Sequence, residues 1–386
     1  MRFGSWALSS RMLAVAASVV VAIPTLLSAA NIPGNSFHQH NLVSDLSGLA
    51  DFTDPNLVNP WGVSFSATSP FWVSDNGTGL STLYNSVGVK QGLVVTIPPA
   101  PGQMGPSAPT GQVFNPNTSN FQGAHFIFAT ENGTIASWSG GSNAVISVDN
   151  SPADAIYKGL AMANSGSAAY LYATDFHNGK IDVFDSSFMP TTLAGSFTDP
   201  SLPSGYAPFN IAASGNRLYV TYALQDAQRE DDVPCPGCGF VDVFDTDGNF
   251  IQRLVSMGAL NSPWGLAWAP SGFGSFAGDL LVGNFGDGTI NVFDPSNGNW
   301  IAQLRDANGN VITNLGLWEI TFGNGGNGGS TGTLYFTAGI PGPDNIEDHG
   351  LFGSLAPTPE PGTLTLLGSG LASLIGYGWR RGKRKA

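Results

Sequence analysis

Tyr170-Leu-Tyr-Ala-Thr-Asp-Phe-His-Asn-Gly-Lys-Ile-Asp-Val-Phe-Asp185 is echoed further along the chain by Asp279-Leu-Leu-Val-Gly-Asn-Phe-Gly-Asp-Gly-Thr-Ile-Asn-Val-Phe-Asp294. Each stretch contains an alternating strand, a turn rich in Asn, Asp and Gly, and a second strand that ends in Val-Phe-Asp. This pattern predicts a β-hairpin. Variants of the hairpin occur at 71–84, 126–138 and 239–245. The chain therefore repeats one unit of β-structure.

A short strand that opens with a tripeptide precedes each unit. The six tripeptides are spaced 48 to 55 residues apart and are Pro60-Trp61-Gly62, Pro109-Thr110-Gly111, Tyr157-Lys158-Gly159, Pro208-Phe209-Asn210, Pro263-Trp264-Gly265 and Leu317-Trp318-Glu319. A period near fifty, with about four short strands per unit, is typical of β-propeller blades. We therefore predict an all-β fold, a single six-bladed β-propeller over residues 31–355, with the tripeptide strand innermost in each blade.

Residues 40–47 have the pattern of an outer strand but follow no hairpin. We expect them to pair on the outer side of the blade that contains Leu334 to Thr337. This pairing would complete the last blade and close the ring, which leaves fewer exposed sheet edges.

Composition agrees with this fold and limits the partners. The 386 residues include 51 glycines and 26 prolines, and only 11% are charged, which favours short strands and tight turns over long helices. Residues 31–355 hold seven Lys and Arg against 26 Asp and Glu, a net charge of −19. Because this charge repels phosphate backbones, nucleic acid is excluded as a partner, and cations or neutral molecules are favoured.

The first 30 residues are typical of a signal peptide. Arg2 and Arg11 precede an apolar run over 12–27, and small residues follow, so we expect cleavage after Ala30. An uncleaved membrane anchor is the alternative.

Residues 356–386 form a second targeting segment. Pro359-Glu360-Pro361 is followed by a predominantly apolar stretch of 17 residues over 363–379 and then by a basic cluster, which predicts a short membrane helix with the body facing outward. The segment resembles the PEP-CTERM sorting signal of Gram-negative bacteria. The resemblance implies processing by an exosortase-type enzyme at Pro359–Pro361, transient anchoring in the inner membrane, and delivery to the cell surface or extracellular matrix. A plain tail anchor is the alternative.

Four strings in the body carry a second resemblance: Asn261-Ser-Pro-Trp-Gly-Leu-Ala267, Gly278-Asp-Leu-Leu-Val-Gly-Asn-Phe-Gly-Asp-Gly-Thr-Ile290, Leu304-Arg-Asp-Ala-Asn-Gly309 and His349-Gly-Leu-Phe-Gly353. They resemble a family of exported bacterial propellers of unknown function, related at fold level to NHL and YVTN repeats. The resemblance covers about 40–355 and implies the fold but no activity, so the function has to be argued from the site.

The middle tripeptide residues predict a ligand-binding surface at one mouth of the axial channel. Aromatic faces beside hydrogen-bonding groups suit sugar rings and other neutral ligands, and a lysine adds one cation. The predicted ligand-binding residues are Trp61, Lys158, Phe209, Trp264 and Trp318. The alternative is that the large rings pack between blades.

Two tripeptides depart from glycine at their third position, where Asn210 and Glu319 stand. With Asp175 from a hairpin turn, they are the candidate ligands for Ca²⁺, which prefers carboxylate and amide oxygens. The alternative for Asp175 is that its side chain forms the turn.

Cys235 and Cys238 are the only cysteines, and they lie in a Pro/Gly loop of an exported chain. This favours a structural disulfide over a redox dithiol, which usually opens a helix. The five histidines occur in no catalytic motif.

These observations leave two functions open. The first is a non-enzymatic surface or matrix module that binds a polysaccharide or a surface protein at the channel mouth. The second is a Ca²⁺-dependent hydrolase or lactonase with the metal in the central channel. The aromatic residues at the inner strands favour the first.

Deletion of residues 363–386 should release the body into the medium, because this stretch is the hydrophobic span that remains after signal cleavage. Fractionation followed by immunoblotting measures the release. A deleted form that stays with the membrane fraction would contradict the anchor.

Overall fold

The computed structural model describes residues 35–343 and 347–358, and they form six sheets that are antiparallel except for one short parallel pair in blade 6. The first three blades run outward from the axis in chain order. Blade 1 contains β3 (Pro60–Ser64), β4 (Phe71–Asp75), β5 (Leu80–Tyr84) and β6 (Lys90–Thr96). Blade 2 contains β7 (Pro109–Phe114), β8 (Phe126–Thr130), β9 (Thr134–Trp138) and β10 (Val145–Asp149). Blade 3 contains β11 (Tyr157–Ser165), β12 (Ala168–Asp175) and β13 (Lys180–Asp185).

The second half of the ring follows the same order. Blade 4 contains β14 (Tyr206–Ser214), β15 (Arg217–Leu224), β16 (Phe240–Asp245) and β17 (Phe250–Ser256). Blade 5 contains β18 (Pro263–Trp268), β19 (Leu280–Asn284), β20 (Ile290–Phe293) and β21 (Trp300–Gln303). Blade 6 contains β22 (Leu317–Phe322), β23 (Leu334–Ala338) and β24 (Leu351–Pro357). Three short 3₁₀ turns, Phe121–Gly123, Ser151–Ala153 and Gly274–Phe276, lie in connections.

The N-terminal part of the body closes the ring. β1 (Phe37–Ser44) pairs antiparallel with β24, and the two-residue β2 (Phe52–Thr53) pairs with β1. The first and last strands of the propeller therefore share blade 6, which confirms the six-bladed fold and the closure by the N-terminal strand. The closing strand begins at Phe37, three residues before the predicted start.

A β-bulge occurs at the same place in all six inner strands. The register between each inner strand and its neighbour shifts within the tripeptide, for example between Pro60 and Val63 and between Leu317 and Ile320. A bulge leaves one residue unpaired and re-aims its side chain. The repeated tripeptide is therefore the sequence of a repeated bulge.

The hydrophobic core lies between the blades. Each of six buried clusters draws its residues from two neighbouring sheets, as in the packing of Phe71 and Val73 of blade 1 against Tyr335 and Phe352 of blade 6. Sheets packed face to face bury alternate side chains on both surfaces. Strands that alternate in the sequence are therefore buried along almost their whole length in the structure.

Threonines on the second strands link neighbouring blades. Thr337 Oγ1 accepts a hydrogen bond from the Glu319 N–H at 3.0 Å and donates to the Trp61 carbonyl of blade 1 at 2.5 Å. Thr174 Oγ1 accepts from the Gly159 N–H and donates to the Phe209 carbonyl. These hydroxyls satisfy the backbone groups that the bulges leave unpaired.

Blade 3 differs from the expected four strands because it has three. After β13 the chain makes a tight turn, and only one isolated bridge, Phe184 with Pro190, follows. Proline has no N–H and cannot donate to a strand ladder. The spacing of about fifty residues is kept in this blade, although the fourth strand that it predicts is absent from the sheet.

Within the described part of the chain, no helix is long and apolar enough to cross a membrane. The signal peptide assigned to residues 1–30 and the membrane helix assigned to 363–379 lie outside the described residues.

The closing strand should contribute strongly to stability through Phe37. Its ring is buried and lies 4.7 Å from the ring of Phe273 in blade 5 (centroid to centroid), so β1 contacts two blades. Phe37→Ala should lower the free energy of unfolding by about 3 to 5 kcal/mol in urea denaturation. His38→Ala, the exposed neighbour on the same strand, is the control and should change it by about 0.5 kcal/mol or less. Equal effects of the two substitutions would contradict this role.

Candidate functional site

Aromatic rings close the upper part of the axis, at the end where the inner strands begin. Trp61 and Trp318 stack with ring centroids 3.4 Å apart, and Trp264 meets both edge to face at 6.0 and 5.7 Å. We call this the axial aromatic cluster, and its rings are Trp61, Phe176, Phe209, Trp264, Phe285 and Trp318. The rings of Trp61, Phe209, Trp264 and Trp318 belong to the bulged tripeptides, and the bulges turn them toward the axis.

Lys158 lies beside this cluster and is almost completely buried. Its Nζ is 5.1 Å from the ring centroid of Trp61 and pairs with Glu131 and, at 3.0 Å, with Asp231. Burial by itself lowers the pKa of Lys158, and the two carboxylates more than offset this, so the pKa is raised. A buried charge held by two partners is a structural ion pair.

The predicted ligand-binding residues therefore do lie close together, but they are buried inside the protein. Trp61, Lys158, Phe209, Trp264 and Trp318 are each 2% exposed or less. A sugar could stack on these rings only if one of them moved. The burial favours the alternative of interblade packing, and the binding role of the rings stays a prediction.

A cavity of about 390 Å³ lies where the inner strands end, and we call it the lower cavity. Every blade contributes to its wall: Ser64 and Phe65 from blade 1, Gln112 and Phe114 from blade 2, Met162 from blade 3, Asn210 and Ala213 from blade 4, Trp264 and Leu266 from blade 5, and Glu319 and Thr321 from blade 6. Because Trp264 also belongs to the axial aromatic cluster, that cluster forms the inner end of the cavity.

Glu319 is the ionisable group in the wall of the lower cavity. Desolvation raises its pKa to about 8, and hydrogen bonds from the backbone N–H groups of Ile320 and Val63 lower it only in part. The carboxyl is therefore protonated at neutral pH and offers an O–H donor. Because its pKa in the folded protein lies above the ordinary value of 4.5, the protein loses stability as the pH rises between these two values.

Asn210 and Gln112 connect blades across the same cavity. Asn210 Nδ2 donates to the Trp264 carbonyl at 2.8 Å, and Gln112 Nε2 donates to the Gly62 carbonyl at 2.6 Å. Glycine stands at the position of Asn210 in blades 1, 2, 3 and 5, where the inner strands approach closely. A Cβ on Gly111 would lie 2.6 Å from the Leu160 nitrogen.

Three buried polar atoms of cavity-lining residues have no hydrogen-bond partner among the described residues: Gln112 Oε1, Ser64 Oγ and Trp264 Nε1. Buried polar atoms are nearly always paired, and an exception calls for a water or ligand. These three are an acceptor, a hydroxyl and a donor, the kinds of group that bind a polar neutral molecule.

Asp175 does not join this group. It lines a different cleft and accepts hydrogen bonds from the N–H groups of Ile156 and Asn178, as a turn-forming aspartate does. Asn210 and Glu319 do share the lower cavity. Over residues 35–343 and 347–358, no group of three or more His, Cys, Asp or Glu side chains is arranged to hold a metal ion.

Cys235 and Cys238 are joined in a disulfide with a Cα–Cα distance of 5.4 Å. The loop precedes β16, and the bond closes a short turn there rather than opening a helix.

Sequence reasoning missed Gln112 and Ser64. The residue after the tripeptide is apolar in five blades and polar only at Gln112, so this break in the repeat was a usable signal. Ser64 gave no such signal, because the second residue after the tripeptide varies among Ser, Val, Ala and Thr in the six blades.

Comparison with known proteins assigns the chain to a family. It is 36% identical over 282 residues to the uncharacterized protein L690 of Acanthamoeba polyphaga mimivirus, over 68% of this chain and 72% of that protein. It is 33% identical to protein R648 of the same virus, over 72% of this chain and 71% of that protein. The chain belongs to the same family as these proteins.

A motif and a solved structure complete the comparison. Residues 357–384 match the PEP-CTERM protein-sorting motif, which implies export and surface sorting. A solved structure of a glucose dehydrogenase superposes with a TM-score of 0.50 at 12% identity, over 83% of this chain and all of that chain. At this identity the likeness shows a shared propeller fold and nothing more.

Removal of a cluster ring should cost stability. Trp264→Ala deletes a fully buried ring and should lower the free energy of unfolding by about 3 to 5 kcal/mol. Trp300→Ala removes a ring of the same blade that is 47% exposed, and it should cost about 1 kcal/mol or less. Chemical denaturation compares the two variants, and near-wild-type stability of Trp264→Ala would contradict the packing role.

Proposed function

We propose that the protein is an exported, surface-sorted binding propeller that takes a neutral hydroxylated molecule, the end of a carbohydrate, into the lower cavity. The observation that carries this proposal is the group of unpartnered buried polar atoms on residues that line the cavity, Gln112 Oε1, Ser64 Oγ and Trp264 Nε1. A hydroxyl both donates and accepts, so a hydroxylated ligand that reached these atoms could pair with each of them.

The charge of the cavity supports a neutral ligand. Protonated Glu319 carries no charge at neutral pH and adds one more donor. Asn210 is occupied at both ends of its amide, since its Oδ1 accepts from the Ile211 N–H and its Nδ2 donates to Trp264. A cation would find no formal negative charge to bind in this wall at neutral pH.

The cavity also has the mixed surface that sugars require. Phe65, Phe114 and Leu266 offer apolar faces, and the inner strands border the channel with their backbone edges. Apolar walls with a few placed polar groups are the usual form of a small-molecule site. A volume of about 390 Å³ suits one or two sugar rings.

The targeting segments define where this binding would act. We propose that residues 1–30 direct export and that an exosortase-type enzyme processes the chain at Pro359–Pro361, within the matched motif. The propeller would then meet polysaccharide at the cell surface or in the extracellular matrix. The calcium-dependent hydrolase is not proposed, because Asp175 lies apart from Asn210 and Glu319.

Titration calorimetry with glucose, galactose, N-acetylglucosamine and their β-linked disaccharides tests the proposal. We expect saturable binding of at least one sugar, and its affinity should fall about tenfold above pH 8, when Glu319 loses its proton. Glu319→Gln keeps a neutral donor, so its binding should not change between pH 6 and 9.

Two surface variants provide the steric control. Ala213→Trp places a large side chain on an exposed residue of the cavity wall and should abolish binding without unfolding the protein. Ala168→Trp changes an exposed alanine outside the cavity and should bind as the wild type does. Sugar binding that survives in Ala213→Trp, or the absence of binding to every sugar, would overturn the proposal.

A further inference from the structure

Blade 3 ends in an open sheet edge. In each of the other five blades a fourth strand covers the third strand, namely β6, β10, β17, β21 and, in blade 6, β1. In blade 3 the outermost strand is β13. Exposed edges offer unpaired backbone groups to any strand that can reach them.

Hydrogen-bond alternation identifies the groups that are free. The Val183 carbonyl accepts from the Thr191 N–H at 2.9 Å, and the Asp185 N–H donates to the Met189 carbonyl at 2.9 Å. The backbone N–H and carbonyl groups of the odd-numbered residues of β13 therefore point away from β12. In an antiparallel ladder alternate residues form their bonds to the same side. The N–H and carbonyl of Ile181 and the N–H of Val183 therefore point away from β12 without a backbone partner.

The chain leaves room beside this edge. After Pro190 it moves away from β13, and the N–H groups of Gly195 and Phe197 donate to the carbonyls of Asp247 and Gly248 in blade 4. A cleft of about 470 Å³ remains between β13 and residues 190–197. The uncovered run 180–183 is roughly 13 Å long at the usual rise of a strand, enough to pair with about four residues.

We propose that this cleft binds an extended segment of a partner protein, which adds to β13 as the missing fourth strand of blade 3. Main-chain hydrogen bonds to Ile181 and Val183 would hold the segment, and side-chain pockets on either face would select it, as in other cases of strand addition. This site is separate from the lower cavity, since the two share no lining residue.

The two faces of the cleft define the sequence of the segment. Ile181, Val183, Leu193 and Phe197 belong to one apolar cluster, so guest residues opposite Ile181 and Val183 should be apolar. The other face holds Asp175 and Asp182 against one cation, Lys180, whose Nζ is 2.6 Å from Asp182 Oδ1. The guest residue opposite Asp182 should therefore be Lys or Arg.

The same charge disfavours a second copy of this chain as the occupant. Two copies would bring together cleft faces that each carry one excess negative charge, on bodies with a net charge of −19. Opposite charge on a partner speeds association, whereas like charges oppose it.

Fluorescence polarisation with labelled five-residue peptides tests the proposal on the folded protein. The probes are acetyl-Thr-X-Arg-X-Thr-amide with X as Val, Leu or Phe. At least one should bind saturably. Its counterpart with Glu in place of Arg should bind at least tenfold more weakly, and a counterpart with Pro in place of the second X should not bind.

Hydrogen exchange reports on the edge itself. In the free protein, the amides of Ile181 and Val183 should exchange faster than those of Val241 and Val243, the matching residues of the strand Phe240–Asp245 in blade 4, which β17 covers. The bound peptide should protect Ile181 and Val183 and leave Phe240–Asp245 unchanged. Equal protection of the two strands in the free protein would overturn the open edge.

A steric variant completes the test. Thr192→Trp fills the cleft from an exposed position and should abolish peptide binding, whereas Thr198→Trp, on an exposed residue outside the cleft, should not. Saturable binding to none of the three arginine peptides overturns the proposal. Protection of Ile181 and Val183 that rises with protein concentration, without peptide, would assign the edge to a second copy and overturn it too.

Discussion

The bulge in each inner strand determines the geometry of the axis. It turns one side chain of every blade toward the centre and brings neighbouring backbones so close that glycine stands beside it in four blades. The backbone groups that it unpairs are taken up by threonine hydroxyls such as that of Thr337, which also bond to the next blade. Ring closure and axial packing therefore depend on the same local feature.

The channel consequently has two different ends. Where the inner strands begin, the re-aimed rings fill the axis and stack on one another, with Lys158 held beside them by carboxylates. Where the strands end, the wall is mixed, and Glu319 and Asn210 replace glycine. Desolvation keeps Glu319 neutral, so the open end can offer donors and acceptors without a charge. This difference is why we assign binding to the lower cavity.

Blade 3 shows how a repeat protein acquires a distinct surface. Its neighbours hold it through both faces, since one cluster joins it to blade 2 and another to blade 4. The ring therefore does not need its fourth strand. The packing of the two faces of this sheet against its neighbours stabilises the blade, whereas strand addition uses only the sheet edge. The edge at β13 can therefore serve recognition at little cost to the stability of the fold.

The sequence by itself determined the all-β class, the number of blades, the innermost strand of each and the strand that closes the ring, because alternation, turn residues and repeat period are local properties. It also found Asn210 and Glu319 as breaks in the repeat. Only the tertiary structure decided that the tryptophans are interior, that Gln112 and Ser64 share a cavity with Glu319, that Asp175 lies elsewhere and that β13 is uncovered. Burial and proximity depend on distances through space between blades, and no local pattern encodes them.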